Sequence, residues 1–280
     1  MADPGTPRDG VASAPYAAAR AIDSLDACSF YHTTELPGHG VVAGAFDLRG
    51  REDAYLGNVP LAGRRVLEIG TASGHLCFYM ERAGAEVVAY DLSPELPWEL
   101  VPDAPRREPA FADARAAEIR RLNAAWWFCH RAHASRARLV HGQANQLPCA
   151  IGEFDVVTLG CVLLHLRDPM GALEQVASRS RDTVVVTELA PSRATQLAGA
   201  VLPTGLVGAG YRLAERLGPP RMRLLPEARR RAPLETWWGI EPGVVRRMLA
   251  VLGFSRSAVT WHRQRFQGRP ILLHTVVARR

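Results

Sequence analysis

The chain has 280 residues, of which 48% are hydrophobic and 22% charged, as is typical of a globular protein with a sizeable core. No apolar run approaches the roughly 20 residues that span a bilayer, so we predict a cytoplasmic protein without a membrane partner. The net charge is +6, but the sequence contains no lysine and all 34 basic residues are arginines. This bias is typical of a GC-rich genome, so the overall charge does not by itself indicate a nucleic-acid partner.

Five cysteines are scattered along the chain without any C-x-x-C pair. This spacing favours reduced thiols over a disulfide framework or a zinc site, and we predict no metal. The cysteines are Cys28, Cys77, Cys129, Cys149 and Cys161.

The first 60 residues follow no simple alternation of elements. Residues 1–15 are polar and rich in proline and glycine, which predicts a disordered leader. Residues 16–60 are interpreted as an N-terminal helical arm or lid. We expect a helix around 17–27 and an irregular stretch at 30–38, which mixes aromatic and polar side chains ahead of a turn.

From residue 61 onward, short apolar runs alternate with helical segments, which predicts an α/β domain with a mainly parallel sheet and helices on both faces. Residues 190–240 interrupt this alternation and are interpreted as an inserted cap. The predicted strands are 65–69, 86–90, 138–141, 154–159, 183–187, 257–261 and 271–278, and the predicted helices are 74–83, 111–133, 170–178 and 242–252.

A glycine-containing turn, VLEIGTASG at 66–74, follows the first strand of this domain. Glycines let the backbone approach a ligand closely, and the following helix directs N–H groups at it. Asp91 ends the next strand, where a carboxylate can bind both hydroxyls of a ribose. A dinucleotide site favours G-x-G-x-x-G, whereas Gly70 and Gly74 here follow Glu68. The pattern suits S-adenosylmethionine (SAM), which has a ribose and an amino-acid end; a tight strand–helix connection without a ligand is the alternative.

Four stretches resemble the class I SAM-dependent methyltransferase superfamily, in its order and over roughly residues 60–190. They are VLEIGTASG (66–74), VVAYDLSP (87–94), GQANQLP (142–148) and FDVVTLGCVLLHLRDP (154–169). The resemblance implies a Rossmann-like fold with a seven-stranded sheet whose last strand is antiparallel.

Two further segments are similar to a narrower subgroup. They are FYHTTELPGHG with FDLRG, within 30–50, and TWWG at 236–239. The subgroup is related to bacterial wobble-uridine tRNA-modifying enzymes and includes many small-molecule methyltransferases of secondary metabolism.

The resemblance also implies which residues bind SAM. The turn holds its methionine part, Asp91 its ribose, Gln143 and Ala144 its adenine, and the end of the fourth strand lies beside its sulfonium. Gln143 replaces a frequent aspartate, but its amide oxygen can accept the same hydrogen bond. The implied cofactor-binding residues are Glu68, Gly70, Thr71, Ala72, Gly74, Asp91, Leu92, Gln143, Ala144, Gly160 and Cys161.

Three side chains are candidates for chemistry at the methyl group. His165 follows the fourth strand and is either a base near neutral pH or a packing residue. Tyr31 and His32 lie in the arm, where they either cover the cofactor and contact the substrate or pack the arm onto the domain.

Two further groups are candidates for acceptor binding. Trp237 and Trp238 follow the cap, and we expect one to line the acceptor pocket and the other to anchor the cap. The arginines at 221, 223 and 229–231 either bind a phosphate or carboxylate or form a solvated loop.

The leading hypothesis from the sequence is a SAM-dependent methyltransferase that acts on a small molecule, in bacterial secondary metabolism. One alternative is a tRNA-modifying SAM enzyme, which requires a continuous basic surface. Another is a non-methylating enzyme that cyclises or cleaves SAM itself. The fold alone does not distinguish these activities.

Overall fold

The computed structural model describes residues 15–102, 110–227 and 235–280. The predicted leader therefore lies outside the described residues except for its last position. The arginines at 229–231 also lie outside them.

The predicted helix at 17–27 is wrong, because the chain is extended there and forms only a 3-10 turn at Leu25–Ala27. Tyr16 forms an antiparallel bridge with Val140, and the Ala17 N–H donates to the Leu139 carbonyl at 2.8 Å. A short alanine-rich helix has little stability of its own. Pairing with the edge of the sheet satisfies the backbone of Tyr16 and Ala17 instead.

The stretch predicted to be irregular is partly regular. An antiparallel hairpin and two short elements follow one another before the main domain. They are β1 (Thr34–Leu36), β2 (Gly40–Val42), β3 (Phe46–Asp47) and the one-turn helix α1 (Glu52–Tyr55).

The parallel strands of the main domain form where the sequence predicts them. Their continuous apolar character is that of strands buried on both faces. They are β4 (Arg65–Ile69), β5 (Glu86–Asp91), β6 (Arg138–His141), β7 (Phe154–Gly160) and β8 (Ser180–Leu189). The helices between them are α2 (His75–Arg82), α3 (Phe111–Ala132) and α4 (Pro169–Arg179).

Residues 190–240, hereafter the cap, form helices and a hairpin in their described part. These are α5 (Arg193–Val201), α6 (Thr204–Leu217), β9 (Met222–Leu224) and β10 (Trp238–Ile240). The chain then forms α7 (Pro242–Val251), β11 (Arg256–Phe266) and β12 (Arg269–Arg279).

The large sheet has the strand order β3-β11-β12-β8-β7-β4-β5-β6. Strands β4 to β8 are parallel to one another, and β12 is antiparallel to both β8 and β11. The predicted Rossmann-like class and the antiparallel last strand are therefore confirmed. The short strand β3 adds an eighth strand to the expected seven in the described part of the chain.

Helices cover both faces of this sheet and enclose two apolar cores. Phe78 of α2 and Trp126 of α3 lie in the core on one face. Leu173 of α4 and Leu249 of α7 lie in the core on the other. The strand order reverses between β4 and β7, which is where α/β sheets bind ligands at their carboxyl edge.

None of the described helices is long and apolar enough to cross a bilayer. Within the same ranges, no group of histidine, cysteine, aspartate and glutamate side chains is arranged to hold a metal ion. All five cysteines are free thiols.

Candidate functional site

The turn between β4 and α2 depends on two glycines with left-handed backbones. Gly70 has φ +83°, and a Cβ there would lie 2.5 Å from Cγ2 of Val162. Gly74 has φ +88°, and its Cβ would lie 2.4 Å from Phe78 and 2.8 Å from Trp126. L-residues avoid this conformation and neither contact leaves room for a methyl group. The core on both sides therefore fixes the path of the turn.

Glu68 precedes this turn and is only 4% exposed. Its Oε2 makes no hydrogen bond with any described residue. Burial raises the pKa of this carboxyl to about 8, and the nearby Asp91 carboxylate raises it further. A buried carboxyl oxygen without a hydrogen-bond partner costs free energy. A ligand that donates a hydrogen bond or brings a positive charge to Oε2 would therefore stabilise Glu68.

Asp91 ties the end of β5 to the turn. Its Oδ2 accepts a hydrogen bond from the Ala72 N–H at 2.6 Å, and its Oδ1 accepts one from the Leu92 N–H at 2.7 Å. Burial raises the pKa of Asp91, while these two bonds oppose the shift. Each oxygen keeps a second lone pair for further donors.

Gln143 and Ala144 lie in the loop after β6, on the same edge of the sheet. The Tyr90 hydroxyl holds this loop by donating to the carbonyls of Gln143 at 3.0 Å and Gln146 at 3.2 Å. Gly142 is required beside it, because a Cβ there would lie 1.8 Å from the tyrosine oxygen. The amide nitrogen of the Gln143 side chain donates to the Pro97 carbonyl at 3.5 Å.

Gly160 and Cys161 end β7 next to Tyr55. Cys161 has φ +54°, a conformation that costs free energy in a residue with a side chain. The Tyr55 hydroxyl donates to Cys161 Sγ at 3.6 Å, and a Cβ on Gly160 would lie 2.6 Å from the same hydroxyl. Burial raises the pKa of the Cys161 thiol, which therefore stays protonated near neutral pH.

A cavity of about 30 Å³ lies between the turn, the end of β7 and the arm. It brings Glu68, Gly70 and Gly160 together with Tyr31 and His32, which are distant in sequence. Its lining residues are Tyr31, His32, Tyr55, Leu56, Glu68, Gly70, Leu76, Thr158, Leu159, Gly160, Val185 and Thr187.

His32 is buried in this wall, and its Nδ1 has no hydrogen-bond partner among the described residues. Burial lowers the pKa of His32 to about 3, helped by the neighbouring His75. The ring is therefore neutral at pH 7. The His75 Nε2 lies 3.2 Å from Glu52 Oε1, so a second histidine and a carboxylate stand behind His32.

Tyr31 lies at the mouth of the cavity and is 36% exposed. Its ring stacks on Phe46 at 6.0 Å and meets His32 edge-on at 4.9 Å. Burial of its hydroxyl raises the pKa of Tyr31 above its usual value. The hydroxyl of this cavity-lining tyrosine is therefore neutral at pH 7.

His165 and the two tryptophans lie outside the cavity lining. The His165 Nδ1 donates to the Glu235 carbonyl at 2.6 Å, and burial lowers the pKa of its imidazole. The Trp237 and Trp238 indole N–H groups donate to the carbonyls of Glu99 and Leu166 at 2.7 and 2.8 Å. These three side chains attach the end of the cap to the domain.

Sequence reasoning missed Tyr55 and Glu188. Glu188 lies near the end of β8, is 1% exposed, and accepts a hydrogen bond from the Leu163 N–H at 2.8 Å. Burial raises the pKa of Glu188 to about 8. Tyr55 sits in a one-turn helix without a motif, so only the three-dimensional contact with Cys161 identifies it.

A model of the methyltransferase domain family matches residues 47–247. Ubiquinone biosynthesis O-methyltransferases from three strains of Xanthomonas campestris pv. campestris are 30% identical to the chain over 128 residues. That alignment covers 46% of this chain and 43% of theirs, so the chain matches less than half the length of these curated relatives.

Two solved structures are similar over most of the chain. The N-terminal domain of EvdMO1, studied with SAH and D-fucose, has a TM-score of 0.52 at 18% identity and covers 91% of this chain and 92% of its own. The 1,6-didemethyltoxoflavin-N1-methyltransferase of Burkholderia thailandensis, with its substrate and S-adenosylhomocysteine bound, has a TM-score of 0.50 at 15% identity, covering 82% and 77%. At these identities the likeness shows the fold.

Proposed function

Because the chain belongs to the methyltransferase-domain family, we propose that it is a SAM-dependent methyltransferase acting on a small-molecule acceptor. The observation that carries this proposal is the buried Glu68 carboxyl at the edge of the cavity, whose Oε2 lacks a partner among the described residues. The α-ammonium group of SAM is a cation that this carboxyl can accept. A dinucleotide offers no such group.

The residues around the turn fit the remaining parts of SAM. Asp91 has lone pairs for ribose hydroxyls beyond those used by Ala72 and Leu92. Thr71 Oγ1 is buried without a partner among the described residues, and Gln143 and Ala144 are assigned to the adenine edge. When bound, SAM supplies a methyl group on a sulfonium sulfur for nucleophilic displacement, which leaves S-adenosylhomocysteine.

We assign His32 and Tyr31 to the acceptor side of the cavity. Both are neutral at pH 7, so they add no positive charge beside a sulfonium. The Nδ1 of His32, which has no partner among the described residues, is assigned to accept a hydrogen bond from the acceptor. With a pKa of about 3 the ring is a weak base. His165, Trp237 and Trp238 are assigned to holding the cap over the acceptor.

We extend the proposal to bacterial secondary metabolism, in the cytoplasm, and to the subgroup related to wobble-uridine tRNA-modifying enzymes. The aromatic arm at 30–50 and the cap support this extension. The arm residues Tyr31 and His32 line the cavity beside the end of β7, which favours an acceptor that binds between the arm and the sheet.

Isothermal titration with S-adenosylhomocysteine tests the cofactor assignment. Glu68→Gln and Asp91→Asn should each weaken binding by about tenfold or more, since each removes a charge-assisted hydrogen bond. Glu86→Gln is the matched control, because Glu86 starts β5 at the opposite end from Asp91 and pairs there with Arg65 at 3.3 Å and Arg138 at 3.1 Å. Equal affinities in all three variants would contradict the assignment.

The protonation of Glu68 gives a second readout. Its pKa near 8 means that the ligand-free protein holds a proton at pH 7. Pairing with an ammonium group favours the carboxylate, so binding at pH 7 should release a proton. Titrations in buffers of different ionisation enthalpy measure that release, which should vanish in Glu68→Gln.

Product analysis distinguishes the possible activities. Incubation with SAM and a panel of phenols, carboxylic acids and amines should yield S-adenosylhomocysteine with at least one acceptor. Salt-sensitive tRNA binding with methylation of tRNA alone would favour the nucleic-acid alternative. Methylthioadenosine from SAM without an acceptor would favour cleavage of SAM.

A further inference from the structure

We propose that the outer face of cap helices α5 and α6 docks on an anionic lipid bilayer surface, with its leucines at the headgroup boundary. This inference goes beyond the proposed activity, and departs from the absence of a membrane partner expected from the sequence. It concerns a helix lying in the interface, which the absence of a spanning helix does not exclude.

Helix α6 exposes an apolar stripe on its outer side. Leu206, Leu213 and Leu217 are 58%, 57% and 82% exposed. With Gly210 they follow the spacing i, i+4, i+7, i+11, which keeps them on one side of a helix over about 16 Å. Three large side chains so exposed in one row are more than the scattered surface leucines of a soluble protein.

The opposite side of α6 packs on β11. The Tyr211 ring lies 4.8 Å from that of Trp261, and a Cβ on Gly208 would lie 3.0 Å from the same tryptophan. The helix therefore has two apolar sides. Among the residues that the structure describes, only the inner side has a covering partner.

Helix α5 adds to the same outer surface. It packs on β12, where Gln196 exchanges hydrogen bonds with the backbone of Leu272 at 2.9 Å. Since β11 and β12 are neighbours, the outer sides of α5 and α6 point away from the sheet in the same direction. Leu197 and Val201 lie on that outer side and are 70% and 78% exposed.

The charge around this surface determines the kind of partner. Between residues 191 and 224 the sequence has one acidic residue, Glu215, and it is paired with Arg246 at 3.1 Å. The same segment carries five arginines: Arg193, Arg212, Arg216, Arg221 and Arg223.

Arg212 and Arg216 are both exposed and are four residues apart on α6, beside the leucine stripe. An apolar stripe flanked by cations is complementary to a bilayer with anionic headgroups. A second copy of the same surface would bring like charges together instead. Charge complementarity therefore favours lipid over self-association.

Co-sedimentation of the full chain with vesicles tests the proposal. The chain should bind vesicles of phosphatidylcholine with phosphatidylglycerol, and bind pure phosphatidylcholine vesicles at least about tenfold more weakly. Leu213→Asp should reduce binding to the anionic vesicles by about tenfold. Arg212→Gln with Arg216→Gln should reduce both the binding and its dependence on salt.

Val41→Asp is the matched control. Val41 is 57% exposed, as Leu213 is, and its hairpin lies on the other face of the sheet, where His39 contacts Phe128 of α3. This variant should bind vesicles like the unmodified chain. Circular dichroism checks that both aspartate variants fold.

Two results would overturn the proposal. One is vesicle binding that Leu213→Asp and Val41→Asp reduce equally, or that does not depend on phosphatidylglycerol. The other is a concentration-dependent dimer, measured by sedimentation velocity, that Leu213→Asp abolishes in a chain that does not bind vesicles. Neither readout requires SAM or an acceptor, so both are independent of the proposed activity.

Discussion

The turn at 68–75 is enclosed by the core, whereas the described cap is attached at a few points and exposes apolar side chains. Around the turn, Gly70 and Gly74 have no room for one added carbon. In the cap, Leu197 and Leu217 are more than two thirds exposed. The difference indicates that core packing holds the turn, on the cofactor side of the site, in one conformation. The cap can change its surface without disturbing that side.

The largest effect that tests this comparison is expected from Gly70→Ala. The new Cβ would have an unfavourable φ and would overlap Val162, so the free energy of unfolding should fall by about 3 kcal/mol in urea denaturation. Gly63→Ala is the control, because Gly63 has φ +72° and no atom within 4 Å of the added carbon. It should cost about 1 kcal/mol. Equal losses would mean that packing does not fix the turn.

The second largest change in the free energy of unfolding is expected at His274 of β12, where the cap packs on the sheet. This residue is fully buried, and neither ring nitrogen makes a hydrogen bond with a described residue. His274→Leu should therefore raise the free energy of unfolding by about 1 kcal/mol at pH 7. His262→Leu should lower it, because His262 Nε2 bonds Thr275 Oγ1 at 2.8 Å. Urea denaturation of both variants measures the two signs.

The same histidine predicts a dependence on pH. Burial lowers the pKa of His274 to about 3, so below pH 6.5 the unfolded chain takes up a proton that the folded chain does not. The pH-dependent contribution of His274 to the free energy of unfolding is therefore fully present above about pH 6.5. It is lost as the pH falls toward 3. His274→Leu should make the decline of stability in this range less steep. An unchanged pH profile would contradict the assignment.

Trp237→Phe tests whether the attachment of the cap affects acceptor binding without affecting cofactor binding at the turn. The change removes the hydrogen bond to the Glu99 carbonyl and should cost about 1 kcal/mol of local attachment. If the proposed function holds, KM for the acceptor should rise several-fold while the Kd for S-adenosylhomocysteine stays constant. A parallel rise in both would show that the two regions are coupled.

The smallest effect is expected for Glu215→Gln. This variant breaks the ion pair with Arg246 on α7, in which the two side chains are 23% and 40% exposed. Exposed pairs of this kind contribute about 0.5 kcal/mol. Thermal unfolding should show only a slight loss. A large loss would mean that the cap is attached chiefly through this pair.

The sequence was most informative where the structure is most buried. The runs at 65–69 and 138–141 form strands with the predicted bounds, because a strand between two helical layers must be apolar throughout. The turn was recognisable because its glycines and Asp91 are required at fixed spacings. The roles predicted for the individual site residues stay predictions.

What could not be predicted depends on contacts between distant segments. The alanines of 17–27 favour a helix, but Tyr16 and Ala17 pair with Val140 and Leu139 at the edge of the sheet, and the segment forms only a 3-10 turn. Tyr55 and His32 meet the cavity only because α1 and the arm fold back over β7. Local sequence patterns do not predict such contacts between distant segments. The exposed side of α6 was equally hidden, since its leucines also suit a buried helix.

The N-terminal segment also determines how prone the protein is to aggregation. It covers backbone at both ends of the large sheet, through the Tyr16 bridge to β6 and the pairing of β3 with the end of β11. An open strand edge is a template on which other chains can add. A version that starts at residue 61 would keep the turn between β4 and α2 but would expose the strands at both edges of the large sheet. We expect such a version to be lost to precipitation during expression and concentration, while the longer chain stays in solution.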